Sequence, residues 1–237
     1  MNTQFRPRLD CVCKALATGC AALALWLPVP VSAWQKAAVT GHPFSSETAQ
    51  VYHWAMYTGD THGMPFVILD KKNATMLVFS ADGRLRGSTP VLIGSAIGDE
   101  SVQGLGEREL SGILPSERTT PAGRFISTPG RNSSGEDIVW VDYEAAVSMH
   151  RVRAKVASER RLQRLASPTP DDNRISFGCI NMPPVFYNTV VHPLLGNARG
   201  VVYILPETRT ASAQFGSFDL PASQAVAVAI PTATQGR

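Results

Sequence analysis

Cysteine is scarce in this chain and unevenly placed: three of its four, Cys11, Cys13 and Cys20, lie within the first 20 residues. No cysteine–histidine spacing of the zinc-finger kind occurs, nor a glycine-rich phosphate loop. Charge is also thin. Charged residues make up 17% of the chain and the formal net charge is +3, which gives no case for a nucleic-acid partner. A long uninterrupted apolar run is missing as well. The N-terminal stretch from Ala15 to Val31 is broken by Thr18, Gly19, Pro28 and Pro30, which argues against a permanent membrane span. No internal repeat and no second catalytic domain are visible.

What the N-terminus does have is a basic start (Arg6, Arg8, Lys14), that apolar stretch, and small residues at Val31-Ser32-Ala33. This pattern predicts a signal peptide over 1–33, cut before Trp34; the alternative is a lipoprotein signal with Cys20 as the lipidated residue. A short N-terminal helical segment is expected within 34–63, and the main folded unit within 64–206. From Glu207 onward Ala, Ser, Thr, Gln and Pro dominate, so 207–237 is expected to be a disordered tail, with Ala225 to Ile230 as a candidate strand. Export followed by cleavage leaves one cysteine, Cys179, in an oxidising compartment where cysteines usually pair. A lone thiol there is either buried and inert or kept for its reactivity.

The folded part reads as mainly β, a sandwich or folded-over sheet with a few short helices. Ser45 to Tyr57 is expected as a helix capped by Ser46 and packed on the domain edge. Short strands are expected at Phe66–Leu69, Thr75–Ser80, Leu85–Ile93, Gly123–Thr128, Ile138–Tyr143, Ala146–His150 and Val201–Leu205. Ala81-Asp82-Gly83-Arg84 is a hairpin turn. Arg153 to Leu165 reads as a basic helix. Seven Lys and Arg fall between Arg151 and Arg174 against three acids, either a solvated face or a docking surface for carboxylate-bearing peptides. A last helix is expected from Pro183-Pro184 to Pro193.

Chemistry concentrates at Ser176-Phe177-Gly178-Cys179-Ile180-Asn181-Met182. Glycine beside the thiol permits close backbone approach, and turn N–H groups can meet a developing oxyanion. A thiol needs a base. Alternation in Ala146–His150 puts Val147 and Met149 on one face, Ser148 and His150 on the other, so a core-facing first pair turns His150 outward or into a cleft.

These segments together resemble the L,D-transpeptidase (YkuD-type) catalytic domain. The cysteine stretch is similar to that family's Ser-His-Gly-Cys-hydrophobic-Asn/Arg-Met signature. Thr120-Pro121-Ala122-Gly123-Arg124-Phe125 is similar to its Thr-Pro-x-Gly-x-Phe segment, and Ser148-Met149-His150 to its strand-borne histidine. The resemblance spans roughly Phe66 to Leu205. It implies an exported acyltransferase of the periplasm or cell wall that takes peptidoglycan stem peptides and needs no cofactor. Cys179 would attack the carbonyl at the L-centre of diaminopimelate and release D-alanine. His150 would be general base, oriented by the main-chain carbonyl of Arg151. Gly178 and Cys179 would supply oxyanion N–H groups, and Ser176, Asn181 and Arg151 would support the loop or contact substrate. Two departures mark a divergent branch: Phe177 replaces the second histidine, and the stretch from His150 to Ser176 is longer than usual. A peptidoglycan-binding module that has lost turnover is the alternative.

Overall fold

The computed structural model describes residues 44–221 and 223–224. The expected signal peptide, its Cys20 alternative and the candidate strand at Ala225–Ile230 lie outside the described residues. None of the described helices is long and apolar enough to cross a membrane.

The mainly β architecture expected from the sequence is what forms: one large sheet with a few short helices. Strands β1 (Phe66–Asp70), β2 (Thr75–Phe79), β3 (Leu85–Pro90), β5 (Gly123–Arg131), β6 (Asp137–Asp142), β7 (Val147–Arg151), β9 (Ile180–Met182) and β10 (Gly200–Ile204) build an eight-stranded sheet. Their order is β3-β2-β1-β10-β5-β6-β7-β9. β4 (Ile93–Gly94) and β8 (Arg174–Ser176) pair separately and in parallel. β5 joins the two parts of the large sheet, since Gly123 to Ser127 pair with β10 and Thr128 to Arg131 with β6.

The apolar residues of β1 and β10 serve two layers, as period-two alternation requires. Val67, Leu69, Val202 and Ile204 face a core shared with Val139 of β6, Val147 and Met149 of β7, and Ile180 and Met182 of β9. Phe66, Ile68, Val201 and Tyr203 face a second cluster, covered by Val51, Tyr52 and Ala55 of helix α1 (Ser46–Thr58). α1 therefore closes the outer face of the sheet and belongs to the same hydrophobic layer. Its N-cap is Ser45, whose hydroxyl accepts from the Thr48 N–H at 3.2 Å, rather than Ser46.

Three expectations are corrected. Only Arg161–Leu165 (α2) is α-helical within the basic stretch 153–165, because the chain turns at Arg160 with φ +50° immediately before it. The helical run expected to stop at Pro193 continues: α3 (Pro184–Phe186) passes through a π-helical Tyr187–Val191 into α4 (His192–Leu195). The widened turn sits just before Pro193, whose ring removes an N–H from the ladder. Lastly, 207–221 contains α5 (Ala211–Phe215), capped by the Thr210 hydroxyl on the Ala213 N–H. Polar fixings hold this segment where bulk hydrophobicity does not. The Glu207 and Thr208 amides both donate to Asp99 at 2.8 Å, while Ala211 and Phe215 join the outer apolar layer.

Candidate active site

Parallel pairing of β7 with β9 sets His150 directly opposite Asn181. Period two then carries Ser148 and His150 on one face of β7, and Cys179 and Asn181 on the matching face beside it. Met149, Ile180 and Met182 point the other way into the core. The consequence is a row of four polar side chains along one edge of the sheet. The Ser148 hydroxyl lies 3.6 Å from the Cys179 sulfur, and the thiol lies 3.3 Å from the carbonyl oxygen of Ala146. Asn181 Nδ2 donates to His150 Nε2 at 3.1 Å and to the Cys179 carbonyl at 3.3 Å.

His150 Nδ1 lies 2.8 Å from the Arg151 carbonyl oxygen. A carbonyl only accepts, so Nδ1 carries the hydrogen and Nε2 presents its lone pair. Arg151 acts here through its backbone. Its guanidinium turns away to Asp137 and Asn188 and stacks over the Tyr187 ring at 4.2 Å, so it is not among the side chains around the thiol.

The loop bearing Cys179 is tied down by short polar contacts. Ser176 Oγ donates to the Cys179 carbonyl at 2.7 Å and accepts the Gly178 N–H at 3.1 Å. Thr120 Oγ1 donates to the Gly178 carbonyl at 2.8 Å and accepts the Gly94 N–H at 2.9 Å. The Thr-Pro segment and the cysteine segment are thus physically joined, a link their separation in the sequence conceals. Gly178 has φ +130°, and a Cβ there would stand 2.7 Å from the Thr119 carbonyl oxygen, so glycine is required on two counts. Phe177 carries the Arg118 guanidinium 4.1 Å above its ring, a cation–π contact.

Cys179 is half-buried and unpaired. Burial pushes its thiol up, yet the hydrogen bond and charge of His150, with help from Ser148, outweigh it and leave the thiol below its ordinary range. For His150 burial pulls downward; contact with Cys179 and the Arg151 carbonyl raises it more, with Arg161 opposing, and the net shift is upward. Opposite shifts in a neighbouring acid and base are how a nucleophile is primed at neutral pH.

The arrangement can therefore take a proton from a thiol and present the sulfur to an electrophile. Sequence reasoning singled out Cys179, His150, Gly178, Ser176, Asn181 and the Arg151 carbonyl, and these lie together. It missed Thr120 as the loop's tether and Arg161, whose Nη1 donates to Asn181 Oδ1 at 2.8 Å. Pairing of Ser148 with His150 on one face was the available signal for Ser148.

No protein-family model matches this chain, and no characterised protein matches it by sequence. Among the solved structures to which this chain is similar are two at low identity. One is the Ldtfm–avibactam carbamoyl enzyme, 17% identical with a TM-score of 0.34, over 60% of this chain and 49% of that one. The other is a mutant of the Enterococcus faecium L,D-transpeptidase, 16% identical with a TM-score of 0.32, over 60% and 50% of the two chains. This chain spans about half the length of each.

Proposed function

We propose that this protein is an exported cysteine acyltransferase acting on peptidoglycan stem peptides. The observation that carries the reading is a half-buried thiol, lowered below its ordinary range by an imidazole whose far nitrogen is tied to a backbone carbonyl. Once the Asn181 amide releases the Nε2 lone pair it now occupies, the Cys179 proton passes to His150 Nε2 as sulfur attacks the carbonyl carbon of the stem peptide's diaminopimelate. The C–N bond to terminal D-alanine then breaks, and His150 returns the proton to the leaving amine. A thioester remains on Cys179. An incoming amine would form a cross-link and water would trim the stem, the sulfur in each case leaving as the thiol. The Gly178 N–H is engaged by Ser176 Oγ, so its use at the oxyanion requires that bond to open.

Intact mass spectrometry of the mature chain with a disaccharide-tetrapeptide, beside Cys179→Ala, tests the proposal. A thioester adduct on the native protein only, with free D-alanine, is expected. A native protein that binds the muropeptide yet stays unmodified and releases no D-alanine would replace the reading with that of a binding module. Phe177, which can donate no hydrogen bond, is the feature that favours that alternative.

A further inference from the structure

Asn181 has two ends that differ chemically, and something must decide which one meets His150. Arg161 Nη1 donates to Asn181 Oδ1 at 2.8 Å. A guanidinium has no acceptor, so the amide oxygen is committed to Arg161 and the NH2 group faces His150 Nε2. An imidazole that accepts at Nε2 while donating at Nδ1 is neutral. Were the amide reversed, its oxygen would face Nε2 and favour the doubly protonated ring.

Arg161 is itself well located. Its Nε donates to Glu159 at 2.6 Å, and its side chain is 14% exposed. The 152–173 segment that carries it is anchored by Leu165 and Val152 packing on Leu92, and by Asn173 Nδ2 donating to the Val91 carbonyl at 2.9 Å. The insertion therefore delivers one guanidinium to the back of the catalytic row.

We propose that Arg161 is a positioning residue: by holding the Asn181 amide with its nitrogen toward His150, it keeps the imidazole in the neutral Nδ1–H form. It thereby limits how far the Cys179 proton has moved before substrate arrives. The charged and titratable groups bearing on His150 are Cys179 from the loop before β9 and Arg161 from α2, the latter partnered by Glu159. Cys179 draws the pair toward thiolate and imidazolium, and the Arg161–Asn181 arm draws it back. The inference deepens the acyltransferase proposal, but its test reads thiol chemistry alone and stands whether or not stem peptides are the substrate.

The measurement is the rate of Cys179 alkylation by iodoacetamide as a function of pH, on the full chain. In Arg161→Met the amide is free to turn, and the inflection is expected to move to lower pH by about one unit, which makes labelling below the inflection about three- to fourfold faster, the gain in thiolate being partly offset by its weaker nucleophilicity. Arg161→Lys, which keeps the charge and a donor, is expected to restore the native profile. In an Asn181→Leu background Arg161→Met is expected to add nothing. A guanidinium acting only as a nearby cation also holds His150 down, so its loss shifts the inflection the same way, but that shift does not depend on Asn181 and persists in the Asn181→Leu background. An unchanged or raised inflection in Arg161→Met overturns the proposal, as does a full shift persisting in the Asn181→Leu background. Thermal melts of each variant identify any that is not folded. If the double variant fails to fold, Arg161→Gln, which keeps a donor for Asn181 Oδ1 without the charge, decides: a native inflection supports the positioning role, and one shifted as in Arg161→Met overturns it.

Discussion

Lys71 offers a demanding test of how the loop bearing Cys179 is supported from below. Its side chain is 0% exposed, and its Nζ reaches Asp99 at 2.8 Å, the Gly98 carbonyl at 2.6 Å and the Thr120 carbonyl at 2.9 Å, with Glu207 at 3.5 Å. Substituting Met keeps most of the volume and removes the charge. Removing one partner of a buried ion pair costs about 3–5 kcal/mol. The lower end applies here, because Asp99 retains the amides of Glu207 and Thr208 and the Thr208 hydroxyl. Glu207 likewise retains Arg174 and the Gly98 N–H. A loss of about 3 kcal/mol corresponds to a fall in Tm of about 6–12 °C for a domain of this size. Urea unfolding at neutral pH, followed by far-UV circular dichroism, measures it. The pH dependence carries a sign. Burial pushes Asp99 up, but the hydrogen bonds from Lys71, Thr208 and the Glu207 amide outweigh it and hold its carboxyl well below the usual range. That stabilisation is present above the unfolded-state value of about 4 and fades as pH falls through the folded one. The gap between native protein and Lys71→Met is therefore expected to narrow in acid. A loss below about 1 kcal/mol at neutral pH, the scale of an exposed pair, would refute the reasoning.

Three further outcomes follow from the site. Gly178→Ala brings a Cβ against the Thr119 carbonyl at a positive φ and is expected to cost on the order of 1–3 kcal/mol in urea unfolding; an unchanged midpoint would show that the loop relaxes freely. Thr120→Val strips partners from the Gly94 N–H and the Gly178 carbonyl, and about 1–3 kcal/mol is expected for each buried group left unpaired. Thr120→Ser, which keeps the hydroxyl, is expected to recover most of that stability. His150→Ala removes the main group that lowers the thiol while burial still raises it. Its alkylation inflection is expected to rise above the ordinary thiol value, and an inflection that stays low would assign the lowering elsewhere.

The readable parts of this chain were those set by period and punctuation. Val147 and Met149 alternate with Ser148 and His150, so the face of β7 that meets the thiol could be named from the sequence, and the strands around Asp82-Gly83 followed from their turn. The two three-residue strands flanking Cys179 were not legible, because so few residues carry no period. Their parallel pairing, which sets His150 beside Asn181, is a long-range outcome of topology. The basic stretch misled for a different reason. Its composition favours helix, yet Arg153, Arg160, Arg161 and Arg164 spend their geometry on loop turns and specific partners. Residues 207–221 misled because a few buried hydrogen bonds do there what apolar bulk does elsewhere.

The place of β10 has a consequence for how the protein comes into being. It is the last of the described strands, yet it lies between β1 and β5 near the middle of the sheet, pairing Phe66 with Val201 and Ile204 with Gly123. A sheet whose inner plank arrives late cannot close before that plank is made, and contacts so distant in sequence form slowly. Until residues 200–204 have emerged, β1 and β5 have no neighbour between them. The row of Ser148, His150, Cys179 and Asn181 then has no finished floor. A nascent chain of this design therefore stays open until that inner plank is made. Its thiol meets its finished surroundings only after the sheet beneath it has closed.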